Sequence, residues 1–374
     1  MKKVLFVATV VRLHINMFHK PFLKWFHDQG WQVDVAANND YANRDACVIP
    51  FCDNFHCIPF ERVPWKLGNL EAYRQLKKLL DEEHYDLIHC HTPMGGVLAR
   101  LAAGSARNKG TKLIYTAHGF HFFKGAPLTN WLVYYPVERL LAPKTDLLIT
   151  LNGEDYARAG KFRVRRVEKV NGVGLDVSRF RVASAEERNA VRRELGLGEQ
   201  DIFAISVARL TREKGCMVLI DAVHKLRNPN FHLFILGDGE HGDQLREMIC
   251  RHGLEDRIHL LGFRRDVSEL CGAADLFIFA SLREGLPVAV MEAMACGLPI
   301  IASDIRGNRD LIDAGEGGWL VPPGDADRLA GAIQEALASV SEWDRIREYN
   351  LKKIQSYSTD AVVSQMAKVY QSLM

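Results

Sequence analysis

Short apolar runs, many rich in β-branched residues, recur along the whole chain, and amphipathic stretches lie between them. Five fall in the first half: Lys3–Thr9, Gln32–Ala37, Asp86–Cys90, Lys112–Ala117 and Asp146–Thr150. Phe18–Gln29 and Leu70–Glu83 are amphipathic segments between them. The rhythm restarts at Asp201–Val207 and continues through His232–Leu236, Arg257–Leu260, Leu276–Ala280 and Pro299–Ser303. Strand–helix–strand repetition demands crossover connections, and these build a mostly parallel sheet with helices on its faces. The sequence thus predicts an α/β chain of two doubly wound, Rossmann-like domains facing each other across a cleft. Ligands would sit beyond the carboxyl ends of the strands.

A length of 374 residues suits two domains of roughly 180 residues each. Asn171-Gly172-Val173-Gly174 is turn chemistry, and Ala185–Gly196 reads as a charged helix that opens the second half. The predicted division is 1–180 and 181–355. A last segment, 356–374, carries the amphipathic helix Asp360–Leu373, expected to pack back on the first domain.

Composition narrows the class. Hydrophobic residues make up 48% and charged residues 25%, as in an ordinary folded protein. No apolar run reaches the ~20 residues of a spanning helix. The opening Met1–Ala8 resembles an export signal, but its short apolar stretch runs into Arg12 and His14 and reads as a first buried strand. None of the eight cysteines forms a Cys-x-x-Cys pair, which fits reduced, structural thiols in a cytosolic protein. Cys47, Cys52 and Cys57 with His56 are spaced unlike zinc ligands. Residues 1–180 hold 25 Lys/Arg against 17 Asp/Glu (+8), and residues 181–374 hold 23 against 29 (−6). A basic first half suits an anionic partner: a membrane surface, a phosphorylated acceptor or nucleic acid.

Two segments of the second half carry chemistry. In Val207-Ala208-Arg209-Leu210-Thr211-Arg212-Glu213-Lys214-Gly215, Arg209 and Lys214 project from a strand-end loop ahead of a helix. Two cations beside a helix N-terminus suit a diphosphate. In the segment Arg283–Gly297, Pro287 suits a helix start and Gly297 its end. Glu284 precedes that helix, and Glu292 lies within it among apolar neighbours. A carboxylate so placed needs a partner, such as vicinal ribose hydroxyls. The amides of Gly285, Leu286 and Val288, around Pro287, can meet phosphate or sugar oxygens.

Together, Arg209…Lys214-Gly215, Glu284-x7-Glu292 and Pro299-Ile300-Ile301-Ala302-Ser303 resemble the family 4 glycosyltransferases of two-domain GT-B fold. The resemblance spans the chain. Tyr85–Pro93 (YDLIHCHTP) and Tyr115–Phe123 (YTAHGFHFF) are similar to bacterial capsule and exopolysaccharide members and to an N-acetylgalactosaminyltransferase of a lipid-linked oligosaccharide pathway.

The resemblance implies a nucleotide-sugar-binding second domain and an acceptor-binding first domain. It implies retaining, metal-independent transfer of a hexose or N-acetylhexosamine from a UDP-sugar to a polyprenyl-diphosphate-linked saccharide. Arg209 and Lys214 bind the donor diphosphate, Glu292 the ribose, and Glu284 the donor sugar or its phosphate. His118 lies near the reacting centre. Gly237, Gly239, Phe263 and Arg264 border the base. No cofactor is implied beyond the UDP-sugar substrate, no metal, and no nucleic-acid partner. The implied location is cytoplasmic, peripheral at the inner face of the membrane. A sugar-nucleotide epimerase of the same fold, or a non-catalytic sugar-nucleotide-binding subunit, is the alternative.

Other features complete the reading. Many family members carry a Gly-Gly loop after the first strand, where this chain has Thr9–Asn16; Arg12, His14 or His19 take its place, or the histidines are ordinary polar packing. Gly237-Asp238-Gly239-Glu240-His241-Gly242 matches a dinucleotide fingerprint, but after a later strand of its domain than that fold requires. The aromatic segments around Phe18–Phe26 and Trp131–Tyr135, and the basic run Lys161–Arg166, are membrane-contact or core-helix candidates.

Overall fold

Lys3–Val10 (β1) is an interior strand of a seven-stranded parallel sheet in the computed structural model, which describes residues 1–374. Its companions are β2 (Gln32–Asn38), β3 (Asn54–Cys57), β4 (Leu87–His91), β5 (Lys112–Ala117), β6 (Leu147–Thr150) and β7 (Arg166–Lys169), in the order β3-β2-β1-β4-β5-β6-β7. Val4 to Ala8 are fully buried, as a parallel strand covered on both faces must be. The order reverses where β1 pairs with β2 on one side and β4 on the other, and this crevice is where such sheets bind ligands.

The second sheet has six parallel strands: β8 (Ile202–Val207), β9 (Phe231–Leu236), β10 (Ile258–Gly262), β11 (Leu276–Phe279), β12 (Ile300–Ser303) and β13 (Gly318–Val321). Their order is β10-β9-β8-β11-β12-β13, which puts the reversal between β8 and β11. Two apolar clusters cover its faces, one around Phe203, Phe277 and Met294, the other around Leu233, Ile278 and Ile333.

All ten sequence-predicted strands are present. Three more, β3, β7 and β13, were not anticipated. Asn-Phe-His-Cys and Arg-Val-Glu-Lys have no apolar run to read, because the ends of a sheet are partly exposed.

The chain divides into two units, Met1–Gly174 with Thr359–Met374, and Leu175–Ser358. The break comes at Gly174, not 180, because Leu175 and Phe180 bury themselves in the second core. The last helix, Thr359–Gln371, belongs to the first unit. Its Tyr370 stacks on Trp25 at 5.3 Å and its hydroxyl lies 2.9 Å from His89 Nδ1. No helix is long and apolar enough to cross a membrane.

Candidate functional site

In the second unit, the loops that leave β8 and β11 meet at the switch point. Arg212–Lys214 makes one 3₁₀ turn, and Gly215 then takes a left-handed conformation (φ 69°). A Cβ there would lie 2.1 Å from the Ala280 carbonyl oxygen, so only glycine lets the loops come this close. The Leu282 amide donates to the Glu213 carbonyl at 2.8 Å. Lys214 Nζ reaches Glu284 Oε1 at 2.5 Å, and Ser281 Oγ donates to the same oxygen at 2.7 Å. Arg306 Nε donates to the Glu284 carbonyl at 2.8 Å, which holds the loop from the other side. Arg209, on the same loop as Lys214, is exposed. The Lys214–Glu284 pair thus stands ahead of an uncapped helix N-terminus, with the cations Arg209 on the β8 loop and Arg306 after β12, a fit for an anion.

That helix is Val288–Ala295, with Pro287 as its N-cap and no side-chain cap. Pro287 thus precedes the first turn instead of beginning it. Gly285 and Leu286 lie in the loop before it, and Gly297 (φ 72°) ends the helix in a left-handed cap. The Glu292 carboxylate forms no hydrogen bond or ion pair, while its backbone carbonyl accepts from the Cys296 amide at 3.1 Å within the helix. Burial raises its carboxyl to about 7 against the weaker opposing pull of Arg179. A carboxylate buried in so apolar a helix calls for a partner, and the protein supplies only the Arg179 cation at a distance.

The glycine-rich loop after β9 has a packing role. A Cβ at Gly237 would stand 2.0 Å from the Ala208 carbonyl oxygen, and one at Gly239 would stand 2.4 Å from that of Leu210. These glycines shape the loop that bears Arg209. Phe263 is 70% exposed, available for stacking. Arg264 is less free than its sequence position suggests, since its guanidinium bonds Asp266 at 2.8 and 2.5 Å and Glu194 at 3.2 Å.

In the first unit, the switch point is lined by histidines. Val11–His19, where the Gly-Gly loop is missing, is a π-helix that continues into an α-helix, Lys20–Asp28. Asp40 accepts from the Arg12 and Leu13 amides at 2.6 and 3.3 Å and so caps it. The Arg12 side chain is exposed, whereas His14 and His19 turn inward towards His118 and His91. His118 Nε2 lies 3.4 Å from His91 Nδ1. Burial pushes His118 down to about 4 and His89 to about 3. It also lowers His14, His19 and His91 well below their ordinary value, with neighbouring histidines adding to the effect. All are neutral at neutral pH. Ordinary polar packing does not describe this cluster, because several of its ring nitrogens are buried without a partner.

The sequence reading missed His89 and His91 as site residues. Their i,i+2 spacing puts both on one face of β4, a signal that was available. Thr92, which follows, sits at φ 62°, uncommon outside glycine, and is held by the Thr9 amide and hydroxyl at 3.2 and 2.6 Å.

Also missed was an apolar groove of about 600 Å³, walled by Trp65, Leu67, Leu70, Leu98, Val133 and Val137. Trp65 is 80% exposed and Leu67 86%. On the helix Leu128–Leu141, Leu128, Leu132 and Leu140 face outward, while Trp131, Tyr134 and Tyr135 pack against the core. Phe22, Leu23 and Phe26 are core residues, which removes the Phe18–Phe26 segment as a membrane contact. In the basic run Lys161–Arg166, Arg165 and Arg166 pair with Asp146 and Glu168. Cys47, Cys52, Cys57 and His56 form no metal-ligand cluster, and all eight cysteines are free.

Comparison with known proteins gives a concordant result. The family model "Glycosyl transferase 4-like" matches residues 3–152 and "Glycosyl transferases group 1" matches residues 187–353. A Bacillus subtilis (strain 168) protein named as the glycosyltransferase EpsD is 41% identical over 377 residues, spanning 100% of this chain and 97% of that protein. An Escherichia coli UDP-Gal:α-D-GlcNAc-diphosphoundecaprenol α-1,3-galactosyltransferase is 32% identical, covering 71% of this chain and 70% of its own. Among solved structures, Anabaena HepE in complex with UDP and glucose superposes with a TM-score of 0.80 at 24% identity, with complete coverage of both chains. WaaG, a glycosyltransferase involved in lipopolysaccharide biosynthesis, superposes with a TM-score of 0.74 at 18% identity, covering 98% of this chain and 99% of its own. This chain is a GT-B glycosyltransferase and belongs to the group 1, family 4-like glycosyltransferases.

Proposed function

We propose that the chain transfers a hexose or N-acetylhexosamine from a UDP-sugar to a saccharide carried on a polyprenyl diphosphate, in the assembly of an exopolysaccharide or capsule. The observation that carries the donor half is the Lys214–Glu284 pair at the β8/β11 switch point, ahead of the uncapped helix at Val288 and on the same β8 loop as exposed Arg209. In this reading the donor diphosphate takes Arg209, Lys214 and the helix amides as its counter-charges and needs no divalent ion of its own. Glu292 accepts from the ribose hydroxyls, and the Phe263–Arg264 loop borders the base. As the bond from the sugar's anomeric carbon to the diphosphate breaks, negative charge grows on the leaving oxygen, and the two cations stabilise it. The acceptor hydroxyl bonds to the anomeric carbon with retention, and its proton leaves with the diphosphate. His118 is assigned to the reacting centre.

The acceptor half draws support from the apolar groove. Exposed Arg62 and Lys66 border it, and the exposed leucines of Leu128–Leu141 extend it. An apolar trough edged by cations suits a prenyl chain at an anionic membrane surface, with the protein peripheral on the cytoplasmic face. The naming of the Escherichia coli relative, which acts on a diphosphoundecaprenol-linked sugar, points the same way.

The test is incubation with a panel of sugar nucleotides and synthetic polyprenyl-diphosphate saccharides, with analysis of the product's anomeric configuration. Transfer with retention supports the reading. UDP binding without transfer to any acceptor favours a non-catalytic subunit, and conversion of the free UDP-sugar favours an epimerase.

A further inference from the structure

His14, His19 and His118 converge on the β1/β4 switch point of the first unit, each with a ring nitrogen within 4.8 Å of the others'. Two of the three come from the π-helix. Its i→i+5 bonding is what brings His14 and His19, five residues apart, to one face, their rings edge to face at 4.9 Å; an α-helix turns such a pair well away from each other. The third comes from the loop after β5. Two elements therefore aim three imidazoles at one point.

The hydrogen bonding around that point is incomplete in a specific way. His14 Nε2, both nitrogens of His19, and His91 Nε2 are buried with no partner. A neutral imidazole always carries one N–H and one lone pair, so a ring with neither nitrogen partnered leaves a donor and an acceptor stranded at once. Its neighbours do not relieve it. His91 stacks on His19 at 3.8 Å, and His89 is fully occupied by Thr116 and Tyr370. No carboxylate belongs to the cluster.

We propose that His14, His19 and His118 bind a transition-metal ion of the Zn²⁺ class. Imidazole nitrogens suit zinc and its neighbours, whereas magnesium and calcium prefer oxygen. Three protein ligands leave a fourth position for an oxygen ligand, the pattern of reactive rather than purely structural sites. At a zinc–nitrogen distance of about 2.1 Å, tetrahedral ligand atoms stand about 3.4 Å apart, and small ring rotations close the difference. His91 braces His19 by stacking and meets His118 at 3.4 Å, an outer contact that orients the ligands. The site uses none of the proposed diphosphate and ribose contacts but shares His118 with the proposed reacting centre. Its consequence, that the open position lies at the acceptor side of the reaction, rests on the proposed function.

The experiment uses the untagged full chain, stripped with chelator and titrated with Zn²⁺ and, separately, Co²⁺. One ion per chain is expected, with visible Co²⁺ absorption bands of a tetrahedral nitrogen site, and Mg²⁺ should not compete. His14→Gln and His118→Gln should each weaken Zn²⁺ binding at least ~10-fold. Cys52→Ser should not change it. Circular dichroism checks that the variants are folded, and UDP affinity, measured in parallel, reports the donor site separately. Absence of stoichiometric binding to the folded chain overturns the proposal, as does unchanged affinity in both folded histidine variants.

Discussion

Lys214 Nζ lies 2.5 Å from Glu284 Oε1, joining the loops that follow β8 and β11, with the side chains 26% and 12% exposed. The lysine proposed to meet the donor diphosphate therefore already has a counter-ion. A diphosphate must share Lys214 with Glu284 or displace it.

This gives opposite expectations for the two partners. Lys214→Ala should weaken UDP binding roughly 10- to 100-fold, the loss of a charge-assisted hydrogen bond of about 1.5–3 kcal/mol. Glu284→Gln should hold UDP as tightly as wild type or tighter, because the internal competitor is gone, while turnover falls. Calorimetric UDP titration alongside initial rates separates the two. A fall in UDP affinity of equal size in both variants would show that Glu284 is not a competitor.

Glu292 should make stability and donor binding depend on pH in opposite directions. Its folded-state pKa of about 7 lies above the ordinary carboxylate value of about 4.3. Between those values the folded state holds a proton that the unfolded state has lost. The resulting stabilisation is complete below about pH 4.3 and disappears as pH rises through about 7. Chelation of ribose hydroxyls needs the carboxylate, so UDP affinity should fall as pH drops below about 7. Glu292→Gln should melt progressively higher than wild type as pH rises from about 5 to about 8, yet bind UDP more weakly at the upper end. Parallel melting curves in that variant and wild type would contradict the assignment.

The buried Arg100–Glu138 pair, 2.7 Å apart, should be costly to break from one side. Arg100 lies over the Tyr115 ring at 4.2 Å, and Tyr115 donates to Glu138 at 3.2 Å. Glu138→Ala leaves the guanidinium buried and unpaired, a loss of about 3–5 kcal/mol. The double variant Arg100→Met, Glu138→Leu should recover most of it. Chemical denaturation of both variants measures the difference, and a double variant as unstable as the single one would mean the pair contributes more than mutual neutralisation.

What the sequence could reveal follows from range. The ten strands were legible because each advertises its burial in a few consecutive residues. Glu284, Glu292, Arg209 and Lys214 stood out because charges at strand ends and in an apolar helix are locally anomalous. The Lys214–Glu284 bond was not legible, since it depends on β8 lying beside β11, 70 residues away. The histidine cluster needed the ends of β1, β4 and β5 together and a π-helical turn that a 3.6-residue period cannot suggest. Edge strands and the groove escaped because their residues are exposed or mixed in character, and neither leaves a periodic signal.

The groove offers the sharpest separation of folding from function. Leu67 is 86% exposed and Leu132 67%, so a charge at either place disturbs no core, and stability should change by no more than about 0.5 kcal/mol. On a membrane the same side chains would be removed from water, each contributing about 2 kcal/mol. Leu67→Glu and Leu132→Glu should therefore each reduce partitioning onto anionic phospholipid vesicles by at least ~10-fold, with the added negative charge deepening the loss. Wild-type binding should also weaken as salt is raised, because exposed Arg62 and Lys66 border the groove and surface charges are screened. Vesicle co-sedimentation with the wild type and both variants gives the result. Wild-type partitioning in both variants would move the membrane contact elsewhere on the first unit and leave the groove without a role in acceptor binding.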